Sequence, residues 1–520
     1  MATTANPTDA LLSVDVGTSG ARATAYDTAG AMLLEVRRPY PTSTPREGWA
    51  EQDANGWRSS SLSALGALIK ELGSGHTIHA IGLTGQCPSV VPIDGHGEPL
   101  RPGLIYRDNR AVAEAAWLRE TFGAEALHTL TGHLPAAFHV AAKILWIRAE
   151  EPDVFKSARL FVQPTELLAL TLTGEAVTDW TMAASSALLN LRERRWAPDL
   201  VAAVGLDPAQ LPVPQPSWSI VGELRPSLVR RFGLGATIPI VAGAGDSIAC
   251  AFGAGVTSSG PVSEMAGSST CLNTVVSEPT RDLAMTHYPS AVGPDGYVTE
   301  VGINTAGEAV DWLASLTYGG RSGRLRAADF DRLDREAAEI APGSDGLLFV
   351  AVLGDGERDD PELRGGAIGL SVRHDRRSLA RAALEGVAFA IRAHLERLAN
   401  ASTPANEMRV SGRAASLRTW NHIKADVLGI PVLRIPGDAT TAGVAMLAGL
   451  GIGVYPDAES AIATACRPDP PIEPDPANHD RYAAVYERYR AVVASSTLHA
   501  GAAAVGADGR PSRPYPGERV

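Results

Sequence analysis

The sequence predicts an α/β protein whose two halves are built alike and face a shared cleft. Two stretches about half the chain apart, Leu11 to Thr28 and Ser263 to Val275, place apolar residues on both sides of a short turn of glycine and hydroxyl residues. This pattern is typical of two antiparallel strands joined by a tight turn. Between them, Ile238 to Gly255 predicts a buried strand, a glycine segment and a small-residue helix. A hairpin that recurs in one chain indicates two similar halves.

Length, composition and charge narrow the class of protein. A chain of 520 residues is longer than a domain with a single hydrophobic core usually is, so we expect two or more domains. Its 45% apolar and 20% charged residues are typical of a globular protein. The formal net charge of -12 argues against a nucleic-acid surface. Because the first residues lack the basic and apolar pattern of a leader and no apolar run is long enough to span a bilayer, we expect neither a leader nor a membrane span. The four cysteines lack CxxC spacing, so we expect free thiols in a reducing cytoplasm. From the charge and the apolar pattern we expect neither nucleic-acid nor membrane partners.

Lysine is almost absent from the chain, and arginine carries most of the positive charge. We interpret this bias as genomic composition without functional meaning. The lysines are Lys70, Lys143, Lys156 and Lys424.

The first turn, Gly17-Thr18-Ser19-Gly20, predicts an anion site. Its glycines let the backbone turn sharply, so that N–H groups and the Thr18 and Ser19 hydroxyls would converge on a phosphate. Asp15 ends the preceding strand, where a carboxylate beside phosphates would hold a metal cation. An ordinary hairpin with a solvated Asp15 is the alternative.

Asp246 is the candidate general base. It follows Gly243-Ala244-Gly245, whose glycines permit another molecule to approach the backbone, and it opens a helix. There its carboxylate would take the proton from a substrate hydroxyl as that oxygen attacks phosphorus. Aspartate before a helix is also a common N-cap. The two roles are compatible, because one carboxylate oxygen stays free.

Two polar segments follow the first hairpin. Gln86 and Cys87 come after the short apolar strand His79 to Leu83, at the strand end where open α/β sheets place ligand contacts. A simple exit from strand to loop is the alternative. Further on, Tyr106 to Arg110 opens a helix, with Asp108 as its candidate N-cap.

The second half predicts a nucleotide-side turn. Met408 to Ser416 is a strand that enters a glycine turn before the helix Trp420 to Leu428. Free N–H groups at such a turn and helix start suit a nucleotide phosphate. A small-residue helix over 440 to 453 and a frayed Gly/Pro-rich tail complete this half.

In their order along the chain, these motifs resemble the FGGY family of carbohydrate kinases, sugar kinases of the actin-like ATPase superfamily. The xylulokinase-like branch is the most similar, and the resemblance extends from about Leu11 to about Val493. The matching stretches are VDVGTSGARA (14–23), GWAEQD (48–53), IGLTGQ (81–86), the Lys143–Trp146 helix beside EEPDVF (150–155), LTGEAVTD (172–179), VAGAGDS (241–247), GER (356–358) and ADVLGIPV (425–432).

The resemblance implies two actin-like (ribonuclease H-like) ATPase domains that close on ATP, Mg²⁺ and a small sugar or polyol. Residues 1–254 would form the N-terminal domain, with the sugar site and the first phosphate turn. Residues 255–500 would form the nucleotide-binding C-terminal domain, and 501–520 a flexible tail. The implied reaction transfers the γ-phosphoryl group of ATP to a hydroxyl of a ketopentose, such as xylulose or ribulose, or of a polyol. A homodimer is usual in the family.

Site residues carry over from the family motifs position by position. Asp246 falls on the general base, and Asp15 falls on the carboxylate near the metal. The substrate positions are Gln86, Cys87, Asp246 and Ser247. The ATP positions are Thr18, Ser19, Arg22, Gly267, Ser268, Gly307, Gly412, Arg413 and Ala414.

Three departures from the family pattern concern the substrate and nucleotide contacts. Gln86-Cys87-Pro88-Ser89 replaces Gln-Met-His-Gly, which removes a histidine partner for the sugar. Ser247 replaces an asparagine, and Arg413 replaces a glycine, where it either adds a cation against a phosphate or hinders the usual ATP pose. Arg413 leaves open a sugar-binding regulatory pseudokinase of the same fold. GWAEQD and TGQ argue against a further alternative, a chaperone-like ATPase.

Overall fold

The computed structural model contains two six-stranded mixed sheets, one in each half of the chain, with helices packed around them. Within the described residues, no helix is both long enough and apolar enough to cross a bilayer. The predicted tail, 501–520, lies outside those residues. The structure describes residues 8–318, 326–354, 356–357, 360, 362–401 and 403–495.

The first half contains the larger number of short strands. The strands are β1 (Thr8–Val16), β2 (Gly20–Asp27), β3 (Met32–Pro39), β4 (Glu51–Gln52), β5 (His76–Gly85), β6 (Val91–Ile93), β7 (Gly103–Leu104), β8 (Leu160–Val162), β9 (Val177–Asp179), β10 (Leu189–Asn190), β11 (Arg195–Trp196), β12 (Val213–Gln215), β13 (Ile220–Glu223) and β14 (Pro239–Val241). The helices are α1 (Ala54–Leu72), α2 (Val112–Phe122), α3 (Ala124–Thr131), α4 (Val140–Glu150), α5 (Pro152–Ser157), α6 (Pro164–Thr173), α7 (Trp180–Ser185), α8 (Pro198–Ala203), α9 (Pro226–Phe232) and α10 (Asp246–Gly253).

The second half has longer helices. Its strands are β15 (Pro261–Ala266), β16 (Thr270–Val276), β17 (Thr286–Pro289), β18 (Tyr297–Ile303), β19 (Leu348–Val350), β20 (Gly366–Ile368), β21 (Glu407–Ser411) and β22 (Val432–Arg434). Its helices are α11 (Ala306–Thr317), α12 (Ala327–Ala338), α13 (Arg376–Ala401), α14 (Arg418–Leu428), α15 (Ala439–Gly451), α16 (Ala458–Ala465) and α17 (Pro476–Val493). Short 3-10 turns lie at Gly73–Gly75, Pro208–Gln210, Ser344–Gly346 and Arg413–Ser416.

The two large sheets repeat one strand plan. The first has the order β13-β14-β5-β1-β2-β3, with β1, β2 and β3 antiparallel and β1, β5 and β14 parallel. The second has the order β17-β18-β16-β15-β21-β22, with β15, β16 and β18 antiparallel and β15, β21 and β22 parallel. Hairpin β1–β2 therefore corresponds to β15–β16, and helix α10 corresponds to α15. The prediction of two similarly built halves is confirmed.

Helices α10 and α15 join the two halves. Although α15 belongs to the second half, it packs against β1 and β5 of the first sheet as well as against α10. The helices cross at glycines: a Cβ on Gly253 would lie 1.9 Å from the Ala439 carbonyl oxygen, and one on Gly443 would lie 2.0 Å from that of Ala249. Any side chain at these positions would force the helices apart. The predicted boundaries at residues 254 and 500 stay predictions.

Helix α1 shows how local sequence supports the first turn. Asp53 caps the helix by accepting the N–H of Asn55, and Trp57 and Leu65 lie on its buried face. The indole N–H of Trp57 then donates to Gln52 Oε1 at 2.7 Å. Gln52 Nε2 donates in turn to the carbonyl oxygen of Thr18 at 2.7 Å, so α1 holds the glycine turn in place.

The predicted N-cap role of Asp108 is wrong. Helix α2 begins at Val112, and its N-cap is Ala111, without a side-chain cap. Asp108 is instead fully buried, where it accepts the N–H of Ala50 at 2.7 Å and pairs with Arg110 at 2.8 Å. A buried carboxylate needs such charged and N–H partners, and here it fixes the GWAEQD segment.

Candidate active site

Asp246 lies at the N-terminus of α10, with Gly245 as the N-cap residue. Its Oδ1 accepts the N–H of Ser247 at 2.8 Å. Burial raises the pKa of the Asp246 carboxyl to about 7, and the negative charges of Asp15 and Glu300 act in the same direction. A carboxyl with this pKa exchanges a proton readily at neutral pH, which is what a general base requires.

Two of the predicted substrate residues, Cys87 and Ser247, lie beside Asp246. A Cβ on Gly245 would lie 3.2 Å from Cys87 Sγ, so the thiol lies against the residue that precedes Asp246. Burial raises the pKa of Cys87 well above its usual value, and the charges of Asp246 and Glu300 add to this effect. Cys87 is therefore a neutral thiol. Ser247 donates its hydroxyl to Glu300 at 2.6 Å.

Gln86 connects the substrate loop to the first turn. Its backbone N–H donates to the carbonyl oxygen of Val16 at 3.0 Å, and its Nε2 donates to Gln52 Oε1 at 2.8 Å. Among the described residues, the buried Gln86 Oε1 has no hydrogen-bond partner. This oxygen is available as an acceptor for a hydroxyl of a bound molecule.

In the first turn, Thr18 is half-buried and Ser19 is exposed. The two strands joined by this turn carry Asp15 and Arg22, which are opposite each other in the hairpin. Arg22 is shared between the two halves of the chain. It donates to Asp15 Oδ2 at 2.8 Å and also pairs closely with Asp438, the residue that caps α15. Burial raises the pKa of Asp15 although Arg22 opposes the shift. The turn thus combines hydroxyls, a cation and carboxylates.

The nucleotide-side residues of the second half also meet. The turn at Gly267 and Ser268 is exposed, and the carbonyl oxygen of Ser268 accepts the N–H of Glu308 at 2.9 Å. A Cβ on Gly307 would lie 2.0 Å from the carbonyl oxygen of Gly267, and one on Gly412 would lie 2.6 Å from that of Ala266. Gly307, Gly412 and the β15–β16 turn are therefore packed backbone to backbone.

Arg413 is directed along the surface. Its guanidinium pairs with Asp311 of α11 at 2.6 Å and lies 4.9 Å from the ring centroid of Phe330. Its side chain is 70% exposed. Ala414 follows it in the same short turn.

Two residues that contribute to this region, Lys143 and Tyr106, were not predicted as site residues. The Lys143 amine is fully buried and donates to the carbonyl oxygens of Ile105 at 2.7 Å and Pro88 at 3.2 Å, so it holds the loop after Cys87. Burial lowers the pKa of Lys143 to about 7. Tyr106 lies near Thr18 and Asp246. Burial raises the pKa of Tyr106, although its hydrogen bond with the Thr18 side chain acts in the opposite direction. The rarity of lysine was the available signal for Lys143.

Comparisons with known proteins agree over nearly the whole chain. Models of the N- and C-terminal domains of the FGGY family of carbohydrate kinases match residues 10–253 and 263–452. The xylulose kinase of Bacillus subtilis (strain 168) is 26% identical and covers 92% of this chain and 96% of its own. A glycerol kinase of Delftia acidovorans is 31% identical over 87% of this chain and 92% of its own.

Solved structures agree with these sequence matches. The structure of xylulose kinase from Rhodospirillum rubrum has a TM-score of 0.86 at 29% identity, covering 94% of this chain and 99% of its own. The structure of a kinase from Brucella ovis has a TM-score of 0.84 at 30% identity, covering 93% of this chain and 98% of its own. All of these relatives are kinases, so they give no support to the regulatory pseudokinase alternative. The chain therefore belongs to the FGGY family of carbohydrate kinases and is an ATP-dependent sugar kinase built from two actin-like domains.

Proposed function

We propose that this kinase transfers the γ-phosphoryl group of ATP to a hydroxyl of a ketopentose, with xylulose as the first candidate. The carrying observation is the Asp246 carboxyl, whose pKa of about 7 and position beside Cys87 and Ser247 suit a general base. Xylulose kinases among the relatives support the choice of sugar. A polyol is the second candidate, because a glycerol kinase shares 31% identity.

On the sugar side, Asp246 takes the proton of the attacking hydroxyl as the new oxygen–phosphorus bond forms and the bond between the γ-phosphorus and the bridging oxygen breaks, so that ADP leaves. Asp246 retains the proton until the product leaves. Gln86 Oε1 accepts a second sugar hydroxyl, because no described residue engages this buried oxygen. The neutral Cys87 thiol offers an apolar contact. Ser247 stays tied to Glu300 and supports the helix start.

On the nucleotide side, we assign the phosphates to the two glycine turns. Thr18 and Ser19 of the first turn and Gly267 and Ser268 of the second are accessible to a ligand. Arg22 adds positive charge behind the first turn. The nucleoside would lie beside Gly307, Gly412 and Ala414, whose side chains are absent or short, with the exposed Arg413 at the rim.

Asp15 is the residue that would hold Mg²⁺. Its carboxylate lies close enough to Asp246 for each to feel the charge of the other, and Mg²⁺ bound with nucleotides usually takes one or two protein carboxylates. When bound, the ion neutralises charge on the transferring phosphoryl group. Asp15 and Arg22 hold each other in orientation, and closure of the two halves around α10 and α15 would exclude water from the site.

The direct test is ADP release from ATP and Mg²⁺ across ketoses, aldoses and polyols, with a sugar-free blank. We expect the rate to rise with one or a few ketopentoses. A response to polyols alone would favour the glycerol-kinase-like alternative, and a rate equal to the blank throughout would contradict the proposal. A homodimer and a cytoplasmic location stay predictions, and light scattering on the purified protein tests the dimer.

Acid is expected to reduce activity, because only the ionised Asp246 accepts a proton. Since burial and nearby carboxylates raise its pKa to about 7, kcat/KM should fall about tenfold for each pH unit below that value and level off above it. The measurement is kcat/KM for the sugar against pH, with circular dichroism to verify that the fold persists. A flat profile through neutral pH would remove Asp246 as the titrating base.

A further inference from the structure

The peptide group between Ala244 and Gly245, directly before Asp246, is held on both sides. The fully buried Thr84 of β5 donates its hydroxyl to the carbonyl oxygen of Ala244 at 2.7 Å. The N–H of Gly245 donates to the hydroxyl oxygen of the fully buried Thr181 at 2.8 Å. Both polar atoms of one peptide group thus bind threonine side chains, which fixes the plane of that peptide.

Asp179 sets the direction of the Thr181 hydroxyl. Its Oδ1 accepts the hydroxyl of Thr181 at 2.5 Å and the backbone N–H of the same residue at 2.7 Å. Because the single hydroxyl proton is donated to Asp179, a lone pair of the Thr181 oxygen faces the N–H of Gly245. Burial raises the pKa of Asp179 to about 6, so the carboxylate form accepts these bonds at neutral pH.

A second connection runs from Asp179 to the same loop. The hydroxyl of Ser217 donates to Asp179 Oδ1 at 3.4 Å, and the carbonyl oxygen of Ser217 accepts the N–H of Gly243 at 2.9 Å. Gly243 has φ +77°, and a Cβ there would lie 1.6 Å from the carbonyl oxygen of Leu83. Asp179, through Ser217, and strand β5 therefore both constrain the loop at Gly243.

We propose that Thr84, Asp179 and Thr181 are positioning residues for phosphoryl transfer. They hold the Ala244–Gly245 peptide and thereby fix the Asp246 carboxyl relative to the attacking sugar hydroxyl. This inference rests on the proposed role of Asp246. Gly245 also faces Cys87, since a Cβ on Gly245 would lie 3.2 Å from Cys87 Sγ, so we expect a shift of Gly245 to affect Cys87 as well as Asp246.

The test is Thr181→Val, which keeps the shape of the side chain and removes the hydroxyl. Because displacement of a reacting group by about 1 Å reduces rates by about 10²-fold, we expect kcat to fall about 10- to 100-fold while KM for ATP and for the sugar changes less than about threefold. Thr181→Ser restores the hydroxyl and should recover kcat to within about threefold of the wild type. An unchanged kcat, or a rise in KM alone, would overturn the proposal.

Thr131→Val is the matched control. Thr131 is also fully buried, accepts a backbone N–H from His133 at 3.2 Å and donates to the carbonyl oxygen of Leu127 at 2.8 Å, but it lies in α3. Its kcat should match the wild type. An equal loss of kcat in both variants would overturn the proposal. If Thr181→Val does not fold, Thr84→Val removes the other contact to the same peptide, and the same kcat loss is expected.

Hydrogen exchange separates this inference from the proposed reaction. The Gly245 amide should exchange faster in Thr181→Val than in the wild type and Thr131→Val, with or without any sugar. Unchanged exchange would overturn the positioning role whatever the kinetics show. Faster exchange in Thr181→Val, combined with full activity of Asp246→Asn, would instead remove the proposed role of Asp246 and leave the peptide contact itself established.

Discussion

Asp246→Asn is expected to reduce sugar-dependent ADP release by about 10²- to 10⁴-fold, the range that a positioned general base contributes. Asparagine has nearly the same shape, but its amide does not accept a proton at neutral pH. The carboxyl it replaces has a pKa raised to about 7 by burial and by Asp15 and Glu300. The affinity for ATP, measured by calorimetry, should change little, because the glycine turns assigned to the nucleotide are untouched.

Glu300→Gln is the matched control for the lost charge. Glu300 is buried, contributes to the electrostatic environment of Asp246 and accepts the hydroxyl of Ser247 at 2.6 Å. This variant also converts a carboxylate to an amide near the site, so it should lower the rate far less than Asp246→Asn. If both variants lose the same activity, the effect is one of local charge and not of proton transfer. Full activity of Asp246→Asn would return Asp246 to a structural role at the start of α10.

Local patterns were enough to predict the two hairpins and the repeated plan. Alternating apolar residues and glycine turns act within a few residues, so Leu11 to Thr28 and Ser263 to Val275 could be interpreted without tertiary information. Cys87 and Asp246 were each predicted to follow a strand, and the structure brings them together because β5 and β14 are parallel neighbours whose carboxyl ends share one edge of the sheet.

Contacts between distant segments could not be predicted in this way. Arg22 pairs with Asp438 across most of the chain, and Thr181 contacts Gly245 from a different helix. These pairs depend on how the halves and helices pack, which no local pattern encodes. The Asp108 prediction failed in part for the same reason, because the N–H of Ala50, distant in the sequence, binds that carboxylate.

The surroundings of Arg413 and of two lysines could not be predicted from the sequence. Arg413 drew attention as a departure from the family pattern, yet its guanidinium pairs with Asp311 on the surface. The lysines were interpreted as composition alone, although Lys143 and Lys424 are fully buried. Both ammonium groups contact oxygen atoms: Lys143 Nζ donates to the carbonyl oxygens of Ile105 and Pro88, and Lys424 Nζ donates to Glu264 Oε2.

Lys424→Met is expected to lower the free energy of unfolding by about 3–5 kcal/mol, the usual effect of removing one partner of a buried ion pair. Lys424 Nζ lies 2.6 Å from Glu264 Oε2, and both side chains are 0% exposed. Methionine fills a similar volume but leaves the Glu264 carboxylate buried without its cation. Denaturant unfolding followed by circular dichroism and by tryptophan fluorescence measures the loss. Trp420, whose ring centroid lies 4.4 Å from Lys424 Nζ, contributes to that fluorescence.

Asp311→Asn provides the matched control. Arg413 and Asp311 are also 2.6 Å apart, but their side chains are 70% and 31% exposed. Because water screens this pair, its loss should change the free energy of unfolding by less than about 1 kcal/mol. Equal effects of Lys424→Met and Asp311→Asn would contradict the assignment of the larger loss to burial.

The double variant Glu264→Leu/Lys424→Met distinguishes stability from function. Replacing a buried pair by apolar residues is often neutral or stabilising, so most of the loss in Lys424→Met should be recovered. Glu264 lies on β15, just before the Gly267–Ser268 turn, and Lys424 lies on α14, which follows the Gly412 turn. If the double variant is stable but its KM for ATP rises, the ion pair aligns the two nucleotide-side turns. If KM is also unchanged, apolar packing between β15 and α14 is sufficient to align them.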